Sequence, residues 1–165
     1  MLTPAELRQI FRYDPDTGVL TWAVKISDKT MVGAPAGTYS HGYLVVAVRK
    51  VMYRVHRVAW AMVYGAWPDE TADIDHINGN RADNRICNLR IATRAENIRN
   101  SRTRSNNKSG HKGVSWDKAK QAWMARIKAT NGRIVHLGYF AAKHEAADAY
   151  RRAAPREHGA FARVE

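Results

Sequence analysis

The chain of 165 residues contains one cysteine, Cys87, so a disulfide framework and a cysteine-based zinc finger are excluded. Cys87 is flanked by Ile86 and Asn88, and we expect it to be a small buried apolar residue. No apolar run approaches membrane-spanning length, and residues 1–30 lack the apolar core of a signal peptide. These absences predict an intracellular protein.

Acidic residues are scarce, since 15 Asp and Glu stand against 27 Lys and Arg. The formal charge of +12 and the pI of about 10.2 indicate a polyanionic partner, most commonly nucleic acid. A membrane surface fits less well, because no long basic amphipathic helix is present. Charge alone does not separate DNA from RNA, but the stacked-aromatic signatures of RNA modules are absent, which favours DNA.

The most informative stretch is residues 73–100, where Asp75 and His76 end a short alternating apolar pattern typical of a strand. Residues 78–80 predict a turn around a glycine, and residues 89–92 predict the returning strand. Thr93 and Glu96 then have the spacing of a capping box that starts a helix carrying Asn97. A hairpin followed by a capped helix can bring a carboxylate, an imidazole and a carboxamide together.

This combination of side chains suits metal-assisted phosphodiester hydrolysis. Asp75 and Asn97 offer hard oxygen ligands that favour Mg²⁺ or Mn²⁺. His76 has an ordinary pKa near neutrality and can accept a proton from an attacking water. Taken singly, each of these residues is more commonly a surface or packing residue, so the hypothesis depends on the three together.

Residues 54–100 resemble the HNH endonucleases of phages and mobile introns. The resemblance lies in Val55-His56-Arg57, in Asp75-His76 followed by Gly79-Asn80, in Asn88-Leu89-Arg90 and in Glu96-Asn97. It implies a ββα-metal finger in which His76 is the general base and Asp75 and Asn97 hold one metal ion. It also implies that Asn84 and Asn88 brace the loop between the strands. His56 matches an upstream histidine of the family that either touches substrate or packs.

The N-terminal region before this motif supports two interpretations. Thr3, Pro4 and Glu6 predict a capped helix with Leu7, Ile10 and Phe11 on its apolar face. We expect strands at 19–22, 43–48 and 51–55, a helix at 57–64, and loop over residues 25–42. The region is either a DNA-facing platform or a packing layer under the finger. We assign its aromatic residues to packing and leave Arg49, Lys50, Arg54 and Arg57 open.

Residues 101–112 are polar and basic without apolar periodicity, which predicts a linker between two domains. Arg99, Arg102 and Arg104 are suitably placed in the sequence to follow a phosphate backbone. The alternative is a solvated tether, and the charge of the chain favours phosphate contact.

Residues 113–165 predict three antiparallel strands, at 113–116, 122–129 and 134–138, followed by a helix at 142–154 that Pro155 ends. The segment resembles AP2 DNA-binding domains in its H-K-G-V-S-W, W-M-A-R-I, L-G-Y-F and E-A-A-D-A-Y-R-R-A-A runs. The resemblance implies DNA contacts by the following positions: Ser115, Trp116, Lys118, Lys120, Trp123, Arg126, Lys128, Arg133 and His136. Trp123 either contacts DNA or packs against the helix. Ser115 and His136 stand where the plant transcription factors tend to have arginine and tryptophan, so a base preference does not carry over.

Together these patterns predict an α+β protein with an HNH domain and its support in residues 1–100, a basic linker over 101–112, and an AP2-like domain over 113–165. We expect a monomeric, homing or nicking DNA endonuclease that uses one Mg²⁺ or Mn²⁺ ion in the cytoplasm of a phage-infected bacterium. The alternative is a non-catalytic DNA-binding regulator with a relic HNH finger.

Overall fold

The computed structural model describes residues 1–164, which form four α-helices and ten strands of an α+β protein. The chain divides into two compact units, Met1–Arg94 and the part from Ala95 onward. The first unit contains α1 (Pro4–Ile10), β1 (Phe11–Tyr13), β2 (Leu20–Trp22), β3 (Thr38–Ser40), β4 (Tyr43–Val48), β5 (Val51–Arg54), α2 (Val55–Tyr64), β6 (Asp73–His76) and β7 (Leu89–Ala92). After α3 (Arg94–Asn100), the second unit contains β8 (Val114–Asp117), β9 (Ala122–Lys128), β10 (Ile134–Phe140) and α4 (Lys143–His158). No helix in residues 1–164 is both long and apolar enough to cross a membrane.

Helix α1 begins with the predicted capping box. The Thr3 hydroxyl accepts a hydrogen bond from the Glu6 amide at 3.2 Å, and the Glu6 carboxylate accepts one from the Thr3 amide at 2.8 Å. Leu7 and Ile10 are buried as expected. Phe11 is also buried but is extended, because it leaves the helix and begins β1.

Strands β3, β4 and β5 form an antiparallel sheet. Arg49 and Lys50 connect β4 to β5 with φ of 50° and 65°, the paired positive values of a two-residue hairpin turn. The expectation of loop throughout residues 25–42 was wrong, because Thr38–Ser40 is a strand. Only three residues long, this strand has too few side chains to show an alternating pattern.

Helix α2 begins at Val55, two residues before the predicted start, and Gly65 ends it in the left-handed conformation with φ of 74°. Val58 and Ala61 pack into the main core of the unit together with Leu7 and Phe11. The β6–β7 hairpin lies on another side of α2. Ile74, Leu89 and the α2 residue Ala59 form a small separate core there.

The turn before β7 corrects the expectation for the cysteine. Residues Ile86–Asn88 form one turn of 3₁₀ helix, and Cys87 at its centre is exposed. Asn88 takes the buried position beside it. A three-residue turn presents successive residues in different directions, so the apolar neighbour Ile86 does not indicate burial of Cys87.

Strands β8, β9 and β10 form the second unit's sheet in the order β10-β9-β8, all antiparallel. Ala125 and Ile127 of β9 are buried against α4, whereas Arg126 and Lys128 are exposed, as the strand period predicts. A register shift in β10 lies between His136 and Gly138.

Pro155 does not end α4, contrary to expectation, and the helix continues to His158. Pro155 lacks the hydrogen bond from its own nitrogen to the carbonyl four residues earlier, and its ring crowds that carbonyl, which belongs to the exposed Arg151. The final turn is held by tertiary contacts. Ala154 is buried, and His158 Nε2 donates a hydrogen bond to the Lys128 carbonyl at 2.8 Å.

Candidate functional site

His76 stands at the end of β6 and is 4% exposed. Its Nε2 lies 3.2 Å from Asn84 Oδ1, an oxygen that can only accept, so Nε2 carries the proton and Nδ1 holds the lone pair. Burial lowers the pKa of His76, against smaller opposing effects of Asn84 and Asp75. The imidazole is therefore neutral at neutral pH and able to accept a proton.

The N-terminal segment positions the loop that carries Asn84. The Tyr13 hydroxyl donates a 2.7 Å hydrogen bond to the Asn84 carbonyl, and the Ile86 amide donates to the Pro15 carbonyl at 3.1 Å. Gly18, with φ of 74°, approaches this loop so closely that a Cβ would lie 2.4 Å from the Arg85 amide nitrogen. The N-terminal region therefore has a packing role here, because it contacts the backbone of the loop that carries Asn84, the hydrogen-bond partner of His76.

Asn88 is 6% exposed and holds the loop between β6 and β7 at its base. Its Oδ1 accepts from the Asn78 amide at 3.0 Å, and its Nδ2 donates to Asn78 Oδ1 at 3.1 Å and to the Asp83 carbonyl at 2.8 Å. Asp83 in turn makes an ion pair with Arg85 at 2.6 Å. The loop is thus closed on itself by side-chain amides.

Asp75 is buried beside His76 in the sequence but faces a different partner. Arg90, its register partner on β7, donates from Nε to Asp75 Oδ2 at 2.8 Å, with Nη2 also 2.8 Å from that oxygen. Adjacent strand residues point to opposite faces, which explains why Asp75 meets Arg90 while His76 meets Asn84. The buried carboxylate is therefore charge-compensated within the hairpin.

His56, in the first turn of α2, is 3% exposed and packs edge-on against His76, with ring centroids 5.0 Å apart. Burial, helped by the nearby His76, Arg54 and Arg57, lowers the pKa of His56 to about 3, so it is neutral. Its buried Nδ1 has no hydrogen-bond partner within residues 1–164.

Tyr43 was not predicted as a site residue, but its ring lies close to the rings of His56 and His76. Its centroid lies 5.3 Å from that of His56 and 6.2 Å from that of His76. The side chain is half-buried on β4, on the side of the sheet opposite Val46 and Val48. Its sequence context is that of any aromatic residue in a strong strand, so no sequence signal distinguishes it from a packing residue.

The predicted metal ligands are Asp75 and Asn97. Asn97 is half-buried on α3, a helix that starts at the last residue of the first compact unit, so Asn97 itself belongs to the second. Residues 1–164 contain no cluster of three or more His, Cys, Asp or Glu side chains able to hold a metal. A carboxylate and a carboxamide are not such a cluster, and their oxygens remain a donor set suited to Mg²⁺.

The second unit contains a basic groove of about 1010 Å³. Eight lysine and arginine residues and no acidic residue line it. Nine of the predicted DNA contacts are among its lining residues: Arg99, Arg102, Arg104, Ser115, Trp116, Lys118, Trp123, Arg126 and Lys128. Lys120, Arg133 and His136 are exposed outside it.

Hydrogen bonds order the basic segment along this groove. Lys112 Nζ donates to the Arg99 carbonyl at 2.6 Å, and Arg99 Nη2 donates to the Thr130 carbonyl at 3.4 Å. Asn107 Oδ1 accepts from the Ser109 amide at 2.8 Å and from the Ser109 hydroxyl at 2.7 Å. Residues 101–112 therefore lack helix or strand but are not an unstructured tether.

Trp123 and the cations Arg126 and Lys128 all line the groove, but their side chains leave β9 on opposite faces. Trp123 packs against the cluster of Val114, Ala125 and α4, and its register partner Trp116 makes an edge contact with it at 5.2 Å. Arg126 and Lys128 lie on the other face. Trp123 therefore packs against the helix side of the sheet and also lines the groove, and its contact with DNA stays a prediction.

The segment that carries the predicted active-site residues is similar to a known family. Residues 53–99 match the family model described as HNH endonuclease. This segment contains all six predicted active-site residues: His56, Asp75, His76, Asn84, Asn88 and Asn97. Over these residues the chain is similar to HNH endonucleases.

A curated relative, Protein 3.8 of Escherichia phage T7, is 38% identical over 76 residues. That alignment covers 46% of this chain and 62% of the phage protein, so the chain spans less than two thirds of its relative. No solved structure matches the chain significantly.

Proposed function

We propose that this protein is a metal-dependent endonuclease that hydrolyses phosphodiester bonds of double-stranded DNA. The observation that carries the proposal is the buried, neutral imidazole of His76, oriented through Nε2 by Asn84 inside the HNH segment. A histidine held in one tautomer, with the opposite nitrogen able to accept a proton, is what general-base catalysis requires.

In the proposed reaction, His76 Nδ1 takes a proton from a water molecule as the water oxygen forms a bond to phosphorus. The bond between phosphorus and the leaving nucleoside oxygen breaks, and that oxygen takes a proton from solvent. His56, Asn84 and Asn88 have supporting roles. His56 packs on the base, Asn84 sets its tautomer, and Asn88 closes the loop that carries Asn84.

Asp75 and Asn97 are the residues that would hold the metal ion, Mg²⁺ or Mn²⁺. When bound, the ion would stabilise negative charge on the phosphate and on the leaving oxygen. Asp75 fits this role in donor type and in burial, because its carboxylate offers the hard oxygens that Mg²⁺ prefers in a site shielded from water.

In the same proposal, the second unit holds and partly specifies the duplex as an AP2-like domain, through its basic groove. Cations in the groove contact phosphates, which position the protein without reading sequence. One active site per chain predicts a nick in one strand by a monomer, as in a homing or nicking enzyme. The similarity to a phage protein supports action inside a bacterial host cell.

One observation favours a second candidate, a DNA-binding regulator with a relic finger. Arg90 occupies Asp75 Oδ2 at 2.8 Å, and an arginine there competes with a cation for the same carboxylate. If the ion pair persists in solution with Mg²⁺ present, the finger would be structural.

A supercoiled plasmid assay separates the two candidates. The wild-type protein with Mg²⁺ should convert supercoiled to open circular DNA, and EDTA should abolish this. His76→Ala should lower the rate by about 10²–10⁴-fold while DNA binding persists. Tight binding without cutting under Mg²⁺ or Mn²⁺, on DNA that includes a selected high-affinity site, would favour the regulator. Simultaneous cutting of both strands by a proven monomer would contradict the nicking prediction.

A further inference from the structure

Two arginines meet on the ring of Tyr43, beside the buried histidines. The guanidinium carbon of Arg54 lies 4.7 Å from the Tyr43 centroid, and that of Arg81 lies 4.8 Å from it. The same ring is 6.2 Å from the ring of His76. Tyr43 therefore links two exposed cations to the candidate general base.

Three separate segments converge to build this arrangement. Arg54 ends β5 and pairs in register with Val45, which places its side chain on the same sheet face as Tyr43. Arg81 comes from the loop after β6 and passes close to Gly42. A Cβ on that glycine would lie 3.8 Å from Arg81 Cδ. The convergence is a tertiary feature, because Arg54 and Arg81 come from different elements on either side of α2.

Neither arginine is neutralised by an acidic residue within residues 1–164. The acids of the adjoining hairpin are engaged elsewhere: Asp73 with Arg94, Asp75 with Arg90 and Asp83 with Arg85. Stacking on one aromatic ring offsets only part of the repulsion between two like charges. An anion that contacts both guanidinium groups would balance their charge.

We propose that Arg54 and Arg81 form a phosphate-binding pair that holds the phosphodiester against His76, with Tyr43 as their platform. The inference rests on the proposed function and names the residues that touch its substrate. Guanidinium groups match phosphate oxygens as planar, doubly donating forks. Held at fixed positions, they would also stabilise the charge that accumulates as the water oxygen bonds to phosphorus.

The cutting test compares Arg54→Gln and Arg81→Gln with Lys29→Gln, which removes the same charge from an exposed loop position in the same unit. Under single-turnover conditions with saturating protein, each arginine variant should nick at least about tenfold more slowly than the Lys29→Gln control. Thermal unfolding should show that all three remain folded. Nicking rates within twofold of the control would overturn the proposal.

If the glutamine variants fail to fold, Arg54→Lys and Arg81→Lys test the proposal instead. Lysine keeps the positive charge and the contact with the ring but cannot donate two parallel hydrogen bonds to a phosphate. The proposal expects slower nicking by both lysine variants at unchanged stability. Rates equal to wild type would contradict it.

A binding readout keeps this inference separate from the proposed function. In the full-length His76→Ala protein, adding a short DNA duplex should shift the NMR signals of the Arg54 and Arg81 Nε–H groups. If the wild-type protein cuts no DNA, the proposed nuclease activity is wrong. The NMR shifts would still show whether Arg54 and Arg81 contact the phosphates. Unchanged arginine signals with bound duplex would overturn the pair itself.

Discussion

The candidate active site and the basic groove use polar residues in opposite ways. His56, Asp75, His76, Asn84 and Asn88 are all buried, and hydrogen bonds or an ion pair tie the last four to their neighbours. In the groove, Arg102, Arg104, Arg126 and Lys128 are exposed. Burial holds an imidazole neutral and in one orientation, whereas a polyanion is attracted by charges that remain in solvent. Changes to the first set should therefore alter rate and stability, and changes to the second should alter affinity.

Among the variants that test this comparison, Gly18→Ala should lose the most stability. Gly18→Ala places a Cβ 2.4 Å from the Arg85 amide nitrogen, a backbone atom that cannot yield without moving the Asn84 loop. We expect a loss of about 3 kcal/mol in the free energy of unfolding, from strain at positive φ plus overpacking. Nicking should also slow, because Asn84 orients His76. Urea unfolding and the plasmid assay measure both.

Gly33→Ala is the matched control, since Gly33 also has positive φ, 83°, in the same unit, with nothing within 4 Å of its would-be Cβ. It should cost only the conformational strain of about 1 kcal/mol and leave nicking unchanged. Equal losses in the two variants would mean that the N-terminal turn does not position the catalytic loop.

A smaller effect, on affinity alone, is expected in the groove. Arg104→Gln with Lys128→Gln should weaken duplex binding about tenfold and reduce the slope of log affinity against log salt by about 1.8. The rate of nicking at saturating protein should stay the same. Duplex affinity should be measured by titration at several salt concentrations from about 50 to about 200 mM.

The control for the groove is Arg152→Gln with Arg156→Gln, which removes the same charge from exposed positions of α4 outside the groove lining. An equal change in salt slope for both pairs would indicate attraction by net charge alone. A lower saturating rate in the groove variant would show that the two regions do not divide their roles.

The last effect concerns pH. The pKa of His56 is lowered to about 3 in the folded protein, below its ordinary value of 6.5. Between pH 3 and pH 6.5 the unfolded chain binds more protons at His56 than the folded protein does. The contribution of His56 to the free energy of unfolding is therefore complete above pH 6.5 and is lost as the pH falls toward 3. The free energy of unfolding should change with pH by up to about 1.4 kcal/mol per pH unit in this range. Urea unfolding at pH 8 and pH 5 should show a weaker pH dependence for His56→Gln, and an unchanged dependence would exclude His56 as the cause.

Local signals in the sequence predicted much of the fold. The capping box of α1, the glycine turn at Gly79 and the two strands beside it depend on residues within a few positions of one another. Two of the misses share a cause in longer-range contacts. Pro155 stays helical because Ala154 and His158 are anchored, and Phe11 leaves its helix to join a sheet.

The sequence by itself determined which residues are the candidates for the active site, because Asp75, His76, Asn84, Asn88 and Asn97 follow one another in a specific order within the segment that matches the HNH family model. Only the tertiary structure decided their surroundings. The N-terminal turn behind Asn84, the ion pair between Asp75 and Arg90, and the arginines on Tyr43 each join residues distant in the chain. Protonation states and charge balance arise from such neighbours, and packing between distant segments is what sets them.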